Sequence, residues 1–225
     1  PRRRVYASGI DDQWQADLAD LSRYKDENDG YRYLLTVIDV FSKFAWVEPL
    51  KTKTGPEVAK LFEKIFIHAS PNKIQTDDGT EFFNKQVQAL FKKHDINHFS
   101  TNNETKASIV ERFNRTYKGR MFKYFDVSQS FRYIDVLDDI TDGYNNTKHS
   151  SIKMKPSEVD EDNEAKVYQN LYGEEIYKEV LQATPIYDDP ELDAYIKKLG
   201  NEVVAQSEMA GEKKPRLFVR ESSLG

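Results

Sequence analysis

"YRYLLTVIDVFSKFAWVEPL", residues 31–50, decides how the chain folds. Residues 31–39 form a near-continuous run of β-branched and aromatic side chains, the composition of a strand buried on both faces. "FSK" (41–43) is turn-prone, and "FAWVEPL" (44–50) resumes strand-like residues at once. Upstream, "QWQADL" (13–18) alternates polar and apolar positions with period two, as a half-buried strand does. Three strands joined by short connections read as an antiparallel meander.

The period then changes. Val58, Leu61, Phe62, Ile65 and Phe66 recur at helical spacing. "TGPE" (54–57) supplies Thr54 as N-cap, Pro56 in the first turn and Glu57 three residues on, the pattern of a capping box. "KIQT" (73–76) is a fourth strand, Val87, Leu90 and Phe91 mark a helix starting behind Asn84, and "INHFS" (96–100) is a fifth strand. A long helix follows from Ala107, with Val110, Phe113, Tyr117, Met121 and Tyr124 on one stripe. Another is expected over residues 130–145, and two more near 163–182 and 190–199. This order predicts an α/β architecture, a mixed five-stranded sheet flanked by helices, with a C-terminal helical extension.

Composition limits the chemistry. With 225 residues, 38% hydrophobic, the chain is long enough for one sizeable domain. No run has the apolar length of a membrane span and no signal peptide opens the sequence, so neither membrane insertion nor secretion is expected. There are no cysteines, and the four histidines (His68, His94, His98, His149) are scattered, so any metal must be held by oxygen, which favours Mg²⁺ or Mn²⁺. The net charge of −5 is unevenly spread: residues 1–125 hold 21 Lys and Arg against 17 Asp and Glu, residues 126–225 hold 12 against 21. The front half is mildly basic and the tail half acidic.

Three carboxylates fall at informative places: Asp17 inside the first strand, Asp77 at the end of the fourth, and Glu111 in the first turns of the long helix. A carboxylate in an otherwise apolar strand is costly unless it is paired or binds metal. If the fourth strand lies beside the first, Asp77 neighbours Asp17, and the two repel unless cations neutralise them. Such a group suits two-metal phosphoryl chemistry, with ions about 3.5–4 Å apart. Plainer readings stand beside this one. "TDDGT" (76–80) also makes an ordinary turn, and Glu111 with Arg115 at i+4 also makes an ordinary helix pair. On the same helix face as Glu111 lie Arg115 and Lys118, with Lys106, Arg112, Arg120 and Lys123 nearby, a row of cations able to hold a phosphodiester backbone or simply to keep a helix solvated.

Five ordered motifs, "DDQWQADL", "YRYLLTVIDVFSKFAWVEPLKTKTGPEV", "KIQTDDGTEF", "ASIVERFNRT" and "NNTKHSSIKMKPSEV", together resemble the catalytic core of retroviral-type integrases. The stretch "NETKASIVERFNRTYK" looks most like the integrases of Maverick/Polinton DNA transposons and related virus-like elements. The resemblance implies an RNase H-like fold and a catalytic triad of Asp17, Asp77 and Glu111 binding two Mg²⁺ or Mn²⁺ ions. Asp78 takes the place of the family's Asn, and Glu81 shapes the adjoining loop or contacts DNA rather than binding metal. Lys106, Arg112, Arg115 and Lys118 become candidate contacts to double-stranded DNA, both element ends and target. The implied reactions are 3′-end processing and strand transfer, carried out by a dimer or higher homo-oligomer. The implied location is the nucleus of a eukaryotic host, or wherever a virus-like element is carried in infected cells.

The sequence departs from the pattern in the loop "STNNETKAS" (100–108), which lacks the family's usual Pro and Gly, and in a slightly tighter spacing of 33 residues between Asp77 and Glu111. No His/Cys zinc module precedes the core, and no DNA-binding module is recognisable after residue 200, so a core without some accessory parts is expected. The organisation read from this is an N-terminal extension (1–10), a catalytic core (11–160), an acidic helical extension (161–200) and a loosely ordered tail (201–225). Two rival readings are a domesticated non-catalytic DNA-binding or scaffold protein, and an RNase H-type nuclease. The nuclease needs a fourth carboxylate, for which Asp39 is the candidate; the alternative for Asp39 is to close its hairpin with Ser42.

Overall fold

The computed structural model of the chain describes residues 5–100, 107–173 and 176. Its strands are β1 (Gln13–Asp20), β2 (Tyr33–Asp39), β3 (Ala45–Leu50), β4 (Lys73–Thr76) and β5 (Asn97–Ser100). Its helices are α1 (Gly55–Phe66), α2 (Lys85–Lys93), α3 (Ser108–Ser128), α4 (Leu137–Asn145) and α5 (Glu164–Tyr172). The strands form one mixed sheet in the order β3-β2-β1-β4-β5. β1, β2 and β3 are the antiparallel meander, with Asp17 opposite Thr36 and Trp14 opposite Asp39. β4 runs parallel to β1, with Gln15 beside Gln75, and β5 runs parallel to β4. Parallel neighbours need a crossover, and α1 and α2 supply these.

Alternation along β1 divides the core. Trp14, Ala16 and Leu18, with Leu35, Val37 and Ile74, pack against Val58, Phe62 and Ile65 of α1 and Val87, Leu90 and Phe91 of α2. On the other face Ala19, Leu34, Ile38 and Val47 meet Val110, Phe113, Tyr117, Met121 and Phe125 of α3 and Leu137 and Tyr144 of α4. The sheet is therefore the middle of three layers. The polar positions Gln13 and Gln15, which period two alone would send to solvent, are buried under α3. A third cluster, Ala7, Val40, Phe41, Ile152, Val167 and Tyr172, ties residues near the N-terminus to α5. There the Ala7 N–H donates to Tyr172 Oη at 2.9 Å and the Ile10 N–H to Glu164 Oε1 at 2.8 Å.

Two local expectations need correcting. Thr54 precedes α1 but its side chain makes no cap bond; the Glu57 carboxylate instead accepts the backbone N–H groups of Lys51 and Thr52, each at 2.9 Å, and the Thr52 hydroxyl. The helix expected over 130–145 begins only at Leu137, after a 3₁₀ turn at Ile134–Val136. The cause is Asn28, fully buried in the β1–β2 connection. Its Oδ1 accepts the N–H groups of Tyr133 (2.7 Å) and Ile134 (3.1 Å), and its Nδ2 donates to the carbonyls of Phe131 (2.9 Å) and Tyr24 (2.7 Å). That amide takes the backbone groups an extra helical turn needs. The expected helix at 190–199 and the tail at 201–225 lie outside the described residues, as does the second half of the one at 163–182. Among the described residues no helix is long and apolar enough to cross a membrane.

Candidate active site

Asp17 projects from the middle of β1 onto the α3 face. Its Oδ1 accepts the Leu18 N–H at 2.8 Å, and its Oδ2 accepts Nδ2 of Asn114 on α3 at 2.7 Å. Burial pushes the carboxyl above its ordinary range; the Leu18 amide opposes this, the charge of Asp77 adds to it, and Asn114 and Lys118 oppose it more weakly. The influence of Asp77 follows from register. Gln15 stands beside Gln75 in the parallel pair, and two residues further along each chain come Asp17 and Asp77.

Asp77 leaves β4 into a turn. Its Oδ1 accepts the Gly79 N–H at 3.1 Å, and the Gly79 carbonyl accepts the N–H groups of Phe82 and Phe83, both at 3.0 Å. A Cβ at Gly79 would lie 2.6 Å from the Glu81 carboxylate and 3.0 Å from that of Asp77, so the turn holds both acids close only with glycine between them. Glu81 faces Lys53 at 3.7 Å. The acidic stretch is thus a real turn, with the Asp77 carboxylate bonded within it and that of Glu81 facing a lysine.

Glu111 is placed by α3, and α3 is anchored through a glutamine. Helix N-termini leave N–H donors without intrahelical partners, and Ala107 at the N-cap position offers no side-chain acceptor. Gln15 Oε1 fills that role, accepting the N–H groups of Ile109 and Val110, each at 3.0 Å. Its Nε2 donates to Gln75 Oε1 (2.9 Å), which also accepts Gln13 Nε2 (3.2 Å). A ladder of three buried glutamines therefore joins β4, β1 and the first turn of α3. Neither Gln15 nor Asn114 was marked by the sequence reading. The available signal was the polar series Gln13, Gln15, Asp17 on one strand face, and Asn114 one helical turn beyond Glu111.

Asp17, Asp20, Glu111, Asn114, Arg115, Lys118 and Phe122 line an open cleft of ≈ 530 Å³. The structure thus puts Asp17 and Glu111 in one cleft with Arg115 and Lys118, and sets the charge of Asp77 against Asp17. It does not close the three acids around one point: among the described residues no group of three His, Cys, Asp or Glu side chains could hold a metal ion. Arg112 is absent from this cleft and opens onto another, because successive residues on a helix do not share a face. Lys106 lies outside the described residues. The donor set is all oxygen, the pair of acids at the sheet end favours a cation, and Asn114 Oδ1 is buried with no hydrogen-bond partner. In donor chemistry these residues suit Mg²⁺ or Mn²⁺, although as placed they do not close on one ion.

Asp39 does not join them. It lies three residues along the ladder from Asp17, about 10 Å, and on the opposite face by alternation. Its carboxylate accepts the N–H groups of Ser42 (2.7 Å) and Phe41 (3.3 Å), closing the β2–β3 turn as the milder reading expected.

Residues 8–103 match the family model described as "Integrase core domain", a span that includes Asp17 and Asp77 and stops before Glu111. A transposon-derived protein of Caenorhabditis elegans is 43% identical over 142 residues, 62% of this chain and 50% of that protein. The Pro-Pol polyprotein of feline foamy virus is 26% identical over 134 residues, 59% of this chain and 12% of the polyprotein. The chain therefore spans half or less of these relatives. Among solved structures, the HTLV-2 integrase catalytic core domain in complex with magnesium, a trimeric form, matches with a TM-score of 0.57 at 18% identity, covering 68% of this chain and 99% of that one. A chain of the simian T-cell lymphotropic virus intasome in complex with PP2A regulatory subunit B56 gamma gives 0.61 at 21% identity, covering 70% and 57%. The mixed five-stranded sheet with its flanking helices is the RNase H-like fold of integrase catalytic cores.

Proposed function

We propose that residues 11–160 are the catalytic core of a transposon or virus-like element integrase, a premise resting on the integrase-core match of residues 8–103 and on the site's geometry. The observation that carries it is Asp17: a half-buried carboxylate on the central strand, held by Asn114 and facing the charge of Asp77, in the cleft that Glu111 lines. Asp17, Asp77 and Glu111 would hold Mg²⁺ or Mn²⁺. The ions, when bound, would activate the attacking oxygen and stabilise the leaving one. The chain's own part is orientation. Leu18 and Asn114 fix both oxygens of Asp17, the glutamine ladder fixes α3 and so Glu111, and Arg115 and Lys118 take phosphates of the double helix in register. The reactions are 3′-end processing, in which water displaces the 3′-oxygen of a phosphodiester, and strand transfer, in which the freed 3′-hydroxyl attacks target DNA in the same way.

The 43% identity with the Caenorhabditis elegans transposon-derived protein, against 26% and 34% with the feline foamy virus and human T-cell leukemia virus 3 polyproteins, supports an element of transposon type; the Maverick/Polinton reading rests on the stretch "NETKASIVERFNRTYK". On this reading the protein acts in the nucleus of a eukaryotic host, or wherever such an element is carried. Joining two DNA ends needs two active sites, so the working form is a dimer or higher oligomer. The separation of the three acids favours one second reading, a DNA-binding scaffold that has lost catalysis.

One experiment separates the two. Labelled duplex DNA ends are incubated with the chain in Mn²⁺, and thermal unfolding is followed with and without the ion. The expected result is nicking and joining that falls by about 10²-fold or more in each of Asp17→Asn, Asp77→Asn and Glu111→Gln, together with a Mn²⁺-induced rise in melting temperature lost in the same variants. DNA binding with no strand breakage by the parent chain would establish the scaffold reading instead.

A further inference from the structure

Around α3 from the Asp17 cleft lies a second cleft, also ≈ 530 Å³, between α3, the β2–β3 turn and the segment after α4. Lys43, Arg112, Arg120, Lys148 and His149 line it, and no Asp or Glu does among the described residues. Within the described residues none of the four Lys and Arg side chains is in an ion pair, although residues 126–225 are acidic overall. A solvated helix face carrying charge for solubility would leave its cations mobile and its backbone relaxed. Here neither holds.

The Arg120 guanidinium is fixed, donating from Nη2 to Thr147 Oγ1 at 2.9 Å and lying 5.9 Å from the Tyr144 ring centre. Lys43 sits at φ 64°, the left-handed region that non-glycine residues occupy at a cost. Burial lowers its ammonium pKa to about 8; Asp39 opposes that and Arg112 adds to it. His149 is held below its ordinary range by burial first, with Arg120 and Lys43 adding to this against a hydrogen bond at the Tyr144 backbone. Cations that repel one another are stable together only if the rest of the fold bears the cost, and an anion relieves that repulsion.

We propose that this cleft is a binding site for a phosphate-bearing anion. Arg112 and Arg120 offer guanidinium forks that match two phosphate oxygens, and Lys43 adds a point charge. The shared chemistry is phosphate; the source is either a nucleic-acid backbone or a free polyphosphate. The proposal does not depend on Asp17, Asp77 and Glu111 being catalytic.

The test titrates inorganic pyrophosphate into the full chain by calorimetry and, separately, labelled duplex DNA by fluorescence anisotropy. Three variants are compared with the parent: Arg112→Gln/Arg120→Gln, Lys43→Gly and, from the other cleft, Arg115→Gln/Lys118→Gln. Lys43→Gly removes the cation, and with it a bond to the Val40 carbonyl, at a backbone angle that glycine takes freely; melting curves separate a loss of binding from a loss of fold. Pyrophosphate affinity is expected to fall about tenfold in the first two variants and to stay unchanged in the third, and the His149 imidazole is expected to titrate higher by NMR when pyrophosphate is bound. If DNA affinity also falls in Arg112→Gln/Arg120→Gln, with a salt slope shallower by about 2, the source is nucleic acid; if only pyrophosphate binding falls, it is a free phosphate compound. Absence of pyrophosphate binding by the parent, or binding that survives in both cleft variants, overturns the proposal.

Discussion

His98 shows how one side chain's hydrogen bonds set its protonation. It lies against Phe83 at 4.2 Å between ring centres, and within 2.9 Å of Thr76 Oγ1 and 2.6 Å of Gln88 Nε2. Because the Gln88 amide can only donate, Nδ1 must accept, and the ring is neutral; burial lowers its pKa to about 4. Its stabilising contribution is complete above the ordinary histidine range and is lost as pH falls toward 4. Asp39 works the other way. Burial raises its pKa to about 6, so its charged form costs roughly 3 kcal/mol at neutral pH, a cost relieved as pH falls through 6. The two slopes oppose each other in one window. His98→Gln should therefore gain stability relative to the parent on going from pH 7 to 4, and Asp39→Asn should lose it, measured as urea midpoints at both pH values.

At the scale of elements, most boundaries follow from periodicity. β4 at Lys73–Thr76 is the expected strand, and Asn84 caps α2 through the N–H groups of Gln86 and Val87 at 3.1 and 3.0 Å. The exception is the entry to α4, because Asn28 acts from more than 100 residues away and no local pattern reports it. Replacing Asn28 by Ala would orphan buried backbone groups on both sides, costing about 3 kcal/mol or more; hydrogen exchange at Tyr133 and Ile134 should quicken by more than at the other amides of the core. The site is legible to the same degree. Asp17, Asp77 and Glu111 are nameable because acids interrupt apolar patterns, and the structure brings them only partly together. Asn114 and Gln15 act through single hydrogen bonds, which periodicity cannot show. Arg112 was grouped with Arg115 and Lys118 by proximity in sequence, but one residue turns 100° around a helix.

Across the whole described unit, the two ends meet. Tyr172 at the end of α5 accepts the N–H of buried Ala7, within the cluster that holds Phe41 and the β2–β3 turn. Tyr172→Phe keeps the ring and leaves that N–H without its acceptor, a loss of about 1–3 kcal/mol to be read as a lower melting temperature. Periodicity shows both segments as separate pieces; only the fold makes them one cluster.

The glutamine ladder has a consequence in time. Gln15 ties the first turn of α3, 94 and 95 residues away, to a strand pairing of β1 with β4 that spans 60. Contacts so distant form late, since loop closure must come first. A nascent or half-folded chain therefore has its strands before it has Glu111 in place. If this is a DNA-cutting enzyme, it is harmless until the last long-range contact closes.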